Sequence, residues 1–507
     1  MNDQPQPVAG RLLWWTLAIV ALARLATLGL YPLTDTTEAR YAEVARKMVE
    51  LNDWVTPWYD YGVPFWAKPP LSTWLTAASL KLLGINEFAA RLPYFLLAVL
   101  IAWLVWDWLG RSSRRAALLA VSLLSGTMLY FIASAAVMTD LALVLGTTLA
   151  MRGFWAPFEE PGAERPREKW LLFVGLGIGL LAKGPIALVL TGIPIVLWCV
   201  ATGNIAAAWK RLPWIKGSLL TVAMALPWYW LAEIRTPGFW EYFFIGEHWK
   251  RFTVTGWAGD KYGTAHATAR GSIWLLAVAA CLPWPLLLPF LAIGRKIDRK
   301  TGLYTAGTSA QSRLHVSKAS KPPPQSPAAR RQWHLYLLAW AVAPCLFFTL
   351  SGNILWTYVL PALPALAMLG AGWLVADPRG RMIDAFVSAG VASMALLVAA
   401  YFVNEQVADS WKTAKTAVVE YQSRNKDNRP LLFIGDLPYS ASFYSQGRAK
   451  TVVGNAGLAA RLAGGRAFVA LTSAQAQQLT PELKAVLRIQ ARSGAYDLYS
   501  SEPAQSN

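Results

Sequence analysis

The sequence predicts an α-helical protein that crosses a membrane many times and carries a small soluble α/β domain at its C-terminal end. The chain has 507 residues, is 55% hydrophobic and has a mean hydropathy of +0.34. Only 15% of its residues are charged, against about 25% in a typical soluble protein. Repeated apolar runs approach the ~20 residues that a helix needs to cross a bilayer. Most of the chain therefore belongs in a membrane.

The apolar runs predict about 11–13 spans, and eleven of them can be bounded from the sequence. These are residues 12–31, 88–109, 116–136, 140–157, 170–182, 185–202, 217–235, 271–293, 333–350, 355–375 and 383–403. Three cysteines all fall inside apolar runs, where they are typical of small buried side chains and not of a disulfide or metal framework.

The formal net charge of +18 is concentrated in alternate loops. Excess Lys and Arg marks the cytoplasmic side of a membrane protein, so we expect these loops to lie inside: 111–115, 165–169, 210–216, 295–331 and 377–381. The charge then reflects topology and contact with anionic lipid, and no nucleic-acid partner is expected. The remaining loops are expected on the outer side, which for a bacterial inner membrane is the periplasm: 32–87, 138–140, 182–185, 236–270 and 351–358.

Two domains are predicted. Residues 1–403 form the membrane domain, with a disordered cytoplasmic loop at about 297–331 that is rich in Ser, Pro and Lys. Residues 404–507 form an α/β domain on the outer side, with strands at 430–437 and 466–473 and a helix at 474–490.

The first external loop, residues 32–87, is expected to contain two amphipathic helices that lie along the membrane surface. Apolar residues recur with helical spacing from Tyr41 to Leu51 and again from Leu71 to Leu82. They flank the segment "FWAKPP" at 65–70, so together they would cover a cavity at the membrane surface.

The stretch "DTTEARYAEVARKM" places Asp35 and Glu38 three residues apart at the start of the first of these helices. One interpretation is a helix cap, in which Asp35 and Glu38 bind free backbone N–H groups. The other is chemistry, because a carboxylate just beyond a span carries a desolvation cost that needs a reason. The two interpretations are compatible.

Further polar residues stand at predicted outer boundaries, and each has a structural explanation when taken alone. Lys68 and Lys183 could be lysines that extend to the water, and Asp140 could cap its helix. The segment "FFIGEHWKRF" (243–252) could anchor the chain at the interface, as could the aromatic ring of Tyr358.

Taken together, these residues predict an enzyme site, because all of them fall on the same side of the membrane. Cations in a lipid-accessible cavity suit a polyprenyl-phosphate sugar, whose phosphate must be stabilised as it leaves. A carboxylate would accept the proton of an acceptor hydroxyl. No Walker A motif, Gly-rich phosphate loop or H-E-x-x-H motif is present, so no nucleotide cofactor is expected.

The chain resembles the C-type (GT-C) membrane glycosyltransferases, in the group that holds lipid A aminoarabinose transferases and protein O-mannosyltransferases. The matching segments, in the family's order, are "DTTEARYAEVARKMVELNDWVTPWYDYGVPFWAKPPLSTWL", "MTDLAL", "LLAKGP", "FFIGEHWKRF" and "TYVLPALPALAML". The resemblance covers residues 35 to about 370. It implies a GT-C fold and transfer from an undecaprenyl- or dolichyl-phosphate sugar to lipid A, a glycan or a protein on the outer side.

The resemblance also implies roles for individual residues. Asp35 is the expected base, and Asp140 matches a second motif acid. The cations expected to bind the donor phosphate are Lys68, Lys183 and Arg251. The residues expected to contact substrate are Glu38, Arg40, Tyr41, Glu247, His248 and Tyr358.

The chain departs from the aminoarabinose transferases at two motifs. It has Trp66-Ala67-Lys68-Pro69 where they read F-E-K-P, and residues 351–358, "SGNILWTY", lack the lysines of their S-K-G-K-L-P-T-Y pattern. The sugar and the acceptor therefore stay open.

No metal is required by the spacing, although Asp35 or His248 could hold a divalent ion. The principal alternative function is a lipid-linked sugar transporter or flippase. Such a protein should carry ionisable residues near the middle of the membrane, whereas here Arg24 is a rare case. A third alternative is a non-catalytic assembly or sensor protein, which leaves the cluster of Asp35, Lys68 and Arg251 unexplained.

Overall fold

The computed structural model is mostly helical and describes residues 10–159, 165–254, 257–263, 268–301, 326–377, 379–403, 412–492 and 494–501. The helices of the described part up to residue 403 are α1 (Arg11–Thr27), α2 (Thr37–Glu50), α3 (Leu71–Leu83), α4 (Glu87–Gly110), α5 (Arg114–Ser125), α6 (Met128–Ala133), α7 (Asp140–Trp155), α8 (Leu171–Lys183), α9 (Ile186–Thr202), α10 (Ile205–Arg211), α11 (Trp214–Arg235), α12 (Arg251–Thr253), α13 (Ile273–Ala280), α14 (Trp284–Thr301), α15 (Pro327–Phe348), α16 (Leu363–Val375) and α17 (Gly380–Val403). A π-helix occupies Glu241–Lys250, and a 3₁₀ helix at Trp356–Ala362 leads into α16.

Each predicted span contains a helix or a pair of helices, which confirms the predicted polytopic helical fold. Among the described residues, four helices are long and apolar enough to cross a membrane: Glu87–Gly110, Asp140–Phe158, Trp356–Val375 and Gly380–Tyr401. A fifth crossing would combine α13 and the first part of α14, which meet at an angle of 72°. Other predicted spans contain helices that are shorter, broken or less apolar, the last including α11 and α15 with 22 residues each. The number of crossings therefore stays a prediction.

The first external loop contains both predicted amphipathic helices, α2 and α3, with a hairpin of β1 (Trp58–Asp60) and β2 (Val63–Pro64) between them. The polar side of α2 is only partly open to solvent, since Glu43 and Lys47 are buried whereas Glu50 is exposed. The buried Arg46 donates to both oxygens of Glu43, at 2.6 and 2.8 Å. Lys47 donates to the Tyr59 carbonyl oxygen of the hairpin at 2.8 Å, and the C-terminal part of the chain also packs against α2.

The predicted cap of α2 by Asp35 and Glu38 is wrong. The residue before the helix is Thr36, and no side chain caps the helix. Glu38 instead forms a bidentate ion pair with the fully buried Arg91 of α4, with both distances 2.8 Å. A buried arginine needs a charged partner, and that requirement outweighs capping for Glu38.

The C-terminal part contains a five-stranded sheet in the order β4-β3-β5-β7-β6. Its strands are β3 (Leu431–Ile434), β4 (Lys450–Val452), β5 (Phe468–Leu471), β6 (Leu487–Ala491) and β7 (Asp497–Ser501), and its helices are α18 (Lys415–Arg424), α19 (Tyr439–Ser445), α20 (Gly454–Ala463), α21 (Ser473–Gln477) and α22 (Pro481–Val486). β3, β4 and β5 are parallel, whereas β7 runs antiparallel to both β5 and β6. Hydrophobic clusters cover both faces.

Both predicted strands are confirmed, but the single helix predicted at 474–490 is wrong. Pro481 has no N–H group to continue α21 and instead opens α22. Residues 487–491 then pair with β7 as β6. The predicted disordered loop at 297–331 lies largely outside the described residues, as does the start of the predicted domain at 404–411. The domain boundaries stay a prediction.

The loops predicted outside meet at one end of the helical bundle, as Lys68 with Glu247 and Lys183 with Asp140 illustrate. We call this the cavity end. Two of the basic loops, 111–115 and 165–169, meet elsewhere, where Arg111, Arg152 and Arg165 pair with Asp107 and Glu168. We call the end of the bundle that holds this cluster the opposite end. Which side of the membrane each end faces stays a prediction. All three cysteines are free.

Candidate active site

A cavity at the cavity end brings together charged and polar residues from five separate segments of the chain. Its charged and polar lining consists of Lys68, Asp140, Lys183, Glu247, His248, Arg251, Thr357 and Tyr358. Its apolar lining consists of Leu143, Ile186, Leu190, Phe348 and Pro361. Leu143 and Leu190 lie one turn inside α7 and α9, so the cavity is apolar towards the helices and polar towards the loops.

Glu247 is the centre of the polar half. Lys68 Nζ donates to its Oε2 at 3.0 Å, and the Arg251 guanidinium donates to Oε1 and Oε2 at 2.9 and 2.8 Å. Although burial opposes ionisation, the adjacent Lys68 and Arg251 lower the pKa of Glu247 to about 2. The carboxylate therefore stays charged and holds two cations at the cavity wall.

The π-helix explains why Glu247 and His248 both face the cavity. Its wider turn aligns residues five apart, so the Tyr242 hydroxyl donates to Glu247 Oε1 at 3.3 Å. In the same way His248 Nδ1 lies 2.7 Å from the Phe243 carbonyl oxygen. π-helical turns are rare and are often found at functional sites.

Lys183 and Asp140 form the second ion pair, at 2.6 Å. Asp140 lies in the first turn of α7 and Lys183 in the last turn of α8, where the helix dipoles favour each charge. The two helices approach closely at glycines, since a Cβ on Gly175 would lie 2.4 Å from the Gly146 carbonyl oxygen. The capping interpretation of Asp140 is wrong, because its side chain makes no cap hydrogen bond.

The glycine after Lys183 is required by its surroundings. Gly184 has φ +82°, and a Cβ there would lie 2.6 Å from the Phe243 ring. The ammonium group of Lys183 lies 4.8 Å from the centre of the Tyr358 ring, within cation–π distance. The "AKGP" motif thus places Lys183 between a carboxylate and an aromatic face.

His248 is half-buried and contacts backbone oxygens of Phe243 and Lys183, the latter at 3.3 Å. Burial lowers the pKa of His248, so the ring is neutral near pH 7. The three cations of the lining therefore face two carboxylates, Asp140 and Glu247. Arg251 also lies 3.4 Å from Asp260, just outside the lining.

Asp35 does not line this cavity. Its carboxylate accepts a hydrogen bond from the Ser440 backbone N–H at 3.0 Å and another from the Ser440 hydroxyl. Burial raises the pKa of Asp35, and the bonds from Ser440 oppose that rise. Asp35 and His248 have separate partners, and the described residues hold no group of three or more His, Cys, Asp or Glu side chains suited to a metal.

Arg40 and Tyr41 lie in an aromatic cluster next to the cavity. Arg40 donates to the carbonyl oxygen of Tyr262 and lies over the rings of Tyr41 and Phe65. The Tyr262 hydroxyl binds the backbone on both sides of Phe65, at Pro64 and Trp66. The cluster supports the segment that carries Lys68, two residues beyond Trp66.

Sequence reasoning missed several residues with a place in this arrangement. Tyr242 could have been found from its spacing to Glu247, but only if the π-helix had been recognised. Ser440 and Arg91 gave no local signal, because their partners lie 405 and 53 positions away.

Comparisons with known proteins find similar sequences and a similar fold. Residues 14–243 match the family model described as dolichyl-phosphate-mannose-protein mannosyltransferase. The chain is similar to the undecaprenyl phosphate-α-4-amino-4-deoxy-L-arabinose arabinosyl transferases of Aeromonas salmonicida (32% identity over 370 residues) and Edwardsiella ictaluri (31% over 374 residues). These alignments cover 70% and 71% of this chain but only 58% and 59% of the relatives.

The fold is similar to that of the crystal structure of ArnT from Cupriavidus metallidurans bound to undecaprenyl phosphate. The TM-score is 0.74 at 19% identity, covering 97% of this chain and 98% of the other. The apo form of the same protein gives a TM-score of 0.73 with similar coverage.

Proposed function

The chain belongs to the GT-C membrane glycosyltransferase family of lipid A aminoarabinose transferases and protein O-mannosyltransferases, and on that premise we propose that it transfers a sugar from a polyprenyl-phosphate donor to an acceptor at the membrane surface. The acceptor is a lipid A-type glycolipid, a glycan or a protein. The reaction takes place on the periplasmic side of a bacterial inner membrane, in line with the loop charges.

One observation carries this proposal: three cations from distant segments line one cavity that is apolar towards the helices. Lys68, Lys183 and Arg251 face the two carboxylates of the lining, and Asp260 just outside it is a further partner of Arg251. A phosphate group matches the charge of the three cations, and the apolar wall formed by Leu143, Ile186 and Leu190 matches the first units of a polyprenyl chain.

The chemistry is a displacement at the anomeric carbon of the sugar. The bond from this carbon to the phosphate oxygen breaks, and the electron pair leaves with the phosphate, where the cations stabilise it. The acceptor oxygen forms the new bond, and its proton passes to a carboxylate. Direct displacement would invert the anomeric centre.

Asp35 is our proposed base, and two features support it. Its pKa is raised by burial, which brings it closer to working pH. Among the described contacts, no Lys or Arg side chain neutralises it. Asp140 is the alternative inside the cavity, where Lys183 engages only one of its oxygens.

The cations and apolar wall of the cavity support a polyprenyl-phosphate donor, but they do not select one sugar. The relatives named above act on an aminoarabinose carried by undecaprenyl phosphate, and a pentose donor of that kind is the first to test. The neutral residues at Ala67 and in "SGNILWTY", where that group carries charges, support a test of other sugars as well.

The experiment uses the purified full chain in proteoliposomes with a panel of undecaprenyl-phosphate-linked sugars and a bacterial envelope extract as acceptor. We expect release of undecaprenyl phosphate together with a glycosylated product identified by mass spectrometry. Movement of intact donor across the bilayer without product would support the transporter instead, and no turnover of any donor would refute the glycosyltransferase.

The same assay assigns the base. D35N should abolish transfer while the protein still folds, whereas D140N should retain measurable turnover. Loss of turnover in D140N with near-normal turnover in D35N would reassign the base to the cavity.

A further inference from the structure

The C-terminal part of the chain binds the first external loop at the short segment that carries Asp35. The Leu33 backbone N–H donates to the Tyr444 hydroxyl at 2.7 Å, and the Asp35 backbone N–H donates to the Lys412 carbonyl at 2.7 Å. Ser440 adds two hydrogen bonds to the Asp35 carboxylate. Two backbone amides and the carboxylate of this segment therefore depend on residues 412–444.

The membrane helices hold the same segment from the other side. Arg91 of α4 is fully buried and donates to the carbonyl oxygens of Leu28, Tyr31 and Pro32 at 2.8, 2.7 and 2.9 Å. The carbonyls before Asp35 are thus bound by α4, and the amides are bound by the C-terminal part. Neither partner alone fixes the position of the carboxylate.

Asp35 acts as a cap, but for a helix more than 400 residues away. The residue before α19 is Pro438, whose side chain has no oxygen to accept a hydrogen bond from the first turn. The Asp35 carboxylate takes that place by accepting from the Ser440 backbone N–H. A neutral serine hydroxyl orients the carboxylate without pairing it with a cation.

Further contacts at α19 stabilise the same docking. The Tyr444 hydroxyl donates to Glu87 at 2.9 Å, and Lys415 of α18 forms an ion pair with Glu87. Tyr439 shares a hydrogen bond with the hydroxyl of Tyr59, which packs against Tyr262 in the aromatic cluster next to the cavity. The docking surface therefore extends from Asp35 to the neighbourhood of Lys68.

We propose that Ser440 is a positioning residue for Asp35, so that the C-terminal part of the chain takes part in sugar transfer by fixing the base. This inference rests on the proposed function, with Asp35 as base. The C-terminal part of the chain would then contribute to the reaction through the two hydrogen bonds from Ser440 to Asp35.

The test compares three variants of the full chain in the proteoliposome assay. S440A removes the hydroxyl and should lower kcat about tenfold, the rate equivalent of one charge-assisted hydrogen bond, with the donor KM within about twofold of wild type. S440T keeps the hydroxyl and should recover most of the rate. S442A on the same helix is the matched control, since its hydroxyl makes no hydrogen bond with a described residue.

The outcomes separate this inference from the proposed function. A normal kcat in S440A, or a rise in KM alone, would overturn the positioning role while leaving transfer established by the wild type. The same rate loss in S440T as in S440A, together with an equal loss of thermal stability, would show a purely structural residue. Absence of turnover in the wild type would remove the proposed function and this inference with it.

Discussion

Cations meet carboxylates at both ends of the helical bundle, but the two clusters differ in their surroundings. At the opposite end, Arg111, Arg152 and the exposed Arg165 pair with Asp107 and Glu168. At the cavity end, Lys68, Lys183 and Arg251 line a cavity with two carboxylates. Cations that line open space can bind an anionic ligand, whereas cations packed between carboxylates are already paired.

This difference separates a structural role from a binding role for residues of the same type. Arg152 is almost fully buried and binds two carboxylates, as Arg251 does with Glu247 and Asp260. Only Arg251 also lines the cavity. Substitutions at the cavity end should therefore lower the rate of transfer, whereas substitutions at the opposite end should mainly lower stability.

E247Q should abolish transfer and destabilise the protein. Its loss leaves Lys68 and Arg251 without their shared partner, and breaking a buried ion pair on one side costs about 3–5 kcal/mol. E241Q is the control, because Glu241 is exposed on the same π-helix. Transfer rates and denaturant unfolding in detergent measure both effects, and similar behaviour of the two variants would contradict the anchoring role of Glu247.

K68M, K183M and R251Q should each lower the rate of transfer by about 10²–10³, the usual effect of losing one group that stabilises developing charge. The exposed Lys250 next to Arg251 provides the control K250M. Steady-state kinetics with the lipid-linked donor measure the effect. A fall of less than about threefold in all three variants would exclude the cavity as the phosphate site.

The pH profile tests Asp35. Burial raises its pKa above the ordinary value of 3.8, so the rate should fall as pH falls through a value higher than 3.8. Glu247 behaves oppositely: its pKa is lowered to about 2, so its stabilising ion pairs persist above the ordinary value of 4.5 and weaken only as pH falls towards 2. A kcat/KM profile, with unfolding followed in parallel, separates the two. A rate loss that merely tracks unfolding would argue against Asp35 as the base.

R152M should have the smallest effect on transfer and a moderate effect on stability. It removes one partner of Asp107 and Glu168, but Asp107 is 37% exposed and Arg111 still pairs with both carboxylates, so the cost should be below the ~3–5 kcal/mol of a fully buried pair. The donor KM should stay within about twofold, because Arg152 does not line the cavity and lies in the last turn of α7, whereas Asp140 lies in its first turn. Thermal unfolding measures the effect on stability, and titration of the same preparation with donor measures the KM. A donor KM that rises as much as in R251Q would contradict the purely structural role of Arg152.

Much of the cavity could be predicted because each of its cations lies in a recognisable local motif. The excess of Lys and Arg in alternate loops predicts that all three motifs lie on the same side of the membrane. "AKPP", "LLAKGP" and "GEHWKRF" each contribute one cation, and the structure brings all three together. The partner of Asp35 could not be predicted, since nothing near Ser440 indicates a contact 405 positions away. The helix predicted at 474–490 failed because strand pairing with β7, which is a tertiary contact, outweighs the local helical pattern.

The central claim is that the cavity end binds the phosphate of a lipid carrier. Titration of the purified protein with undecaprenyl phosphate tests it most directly, in wild type, R251Q and R152M. We expect R251Q to weaken binding at least about tenfold and R152M to bind as wild type does, because only the first changes the cavity. Equal affinity in all three proteins, or equal weakening in both variants, would contradict the account.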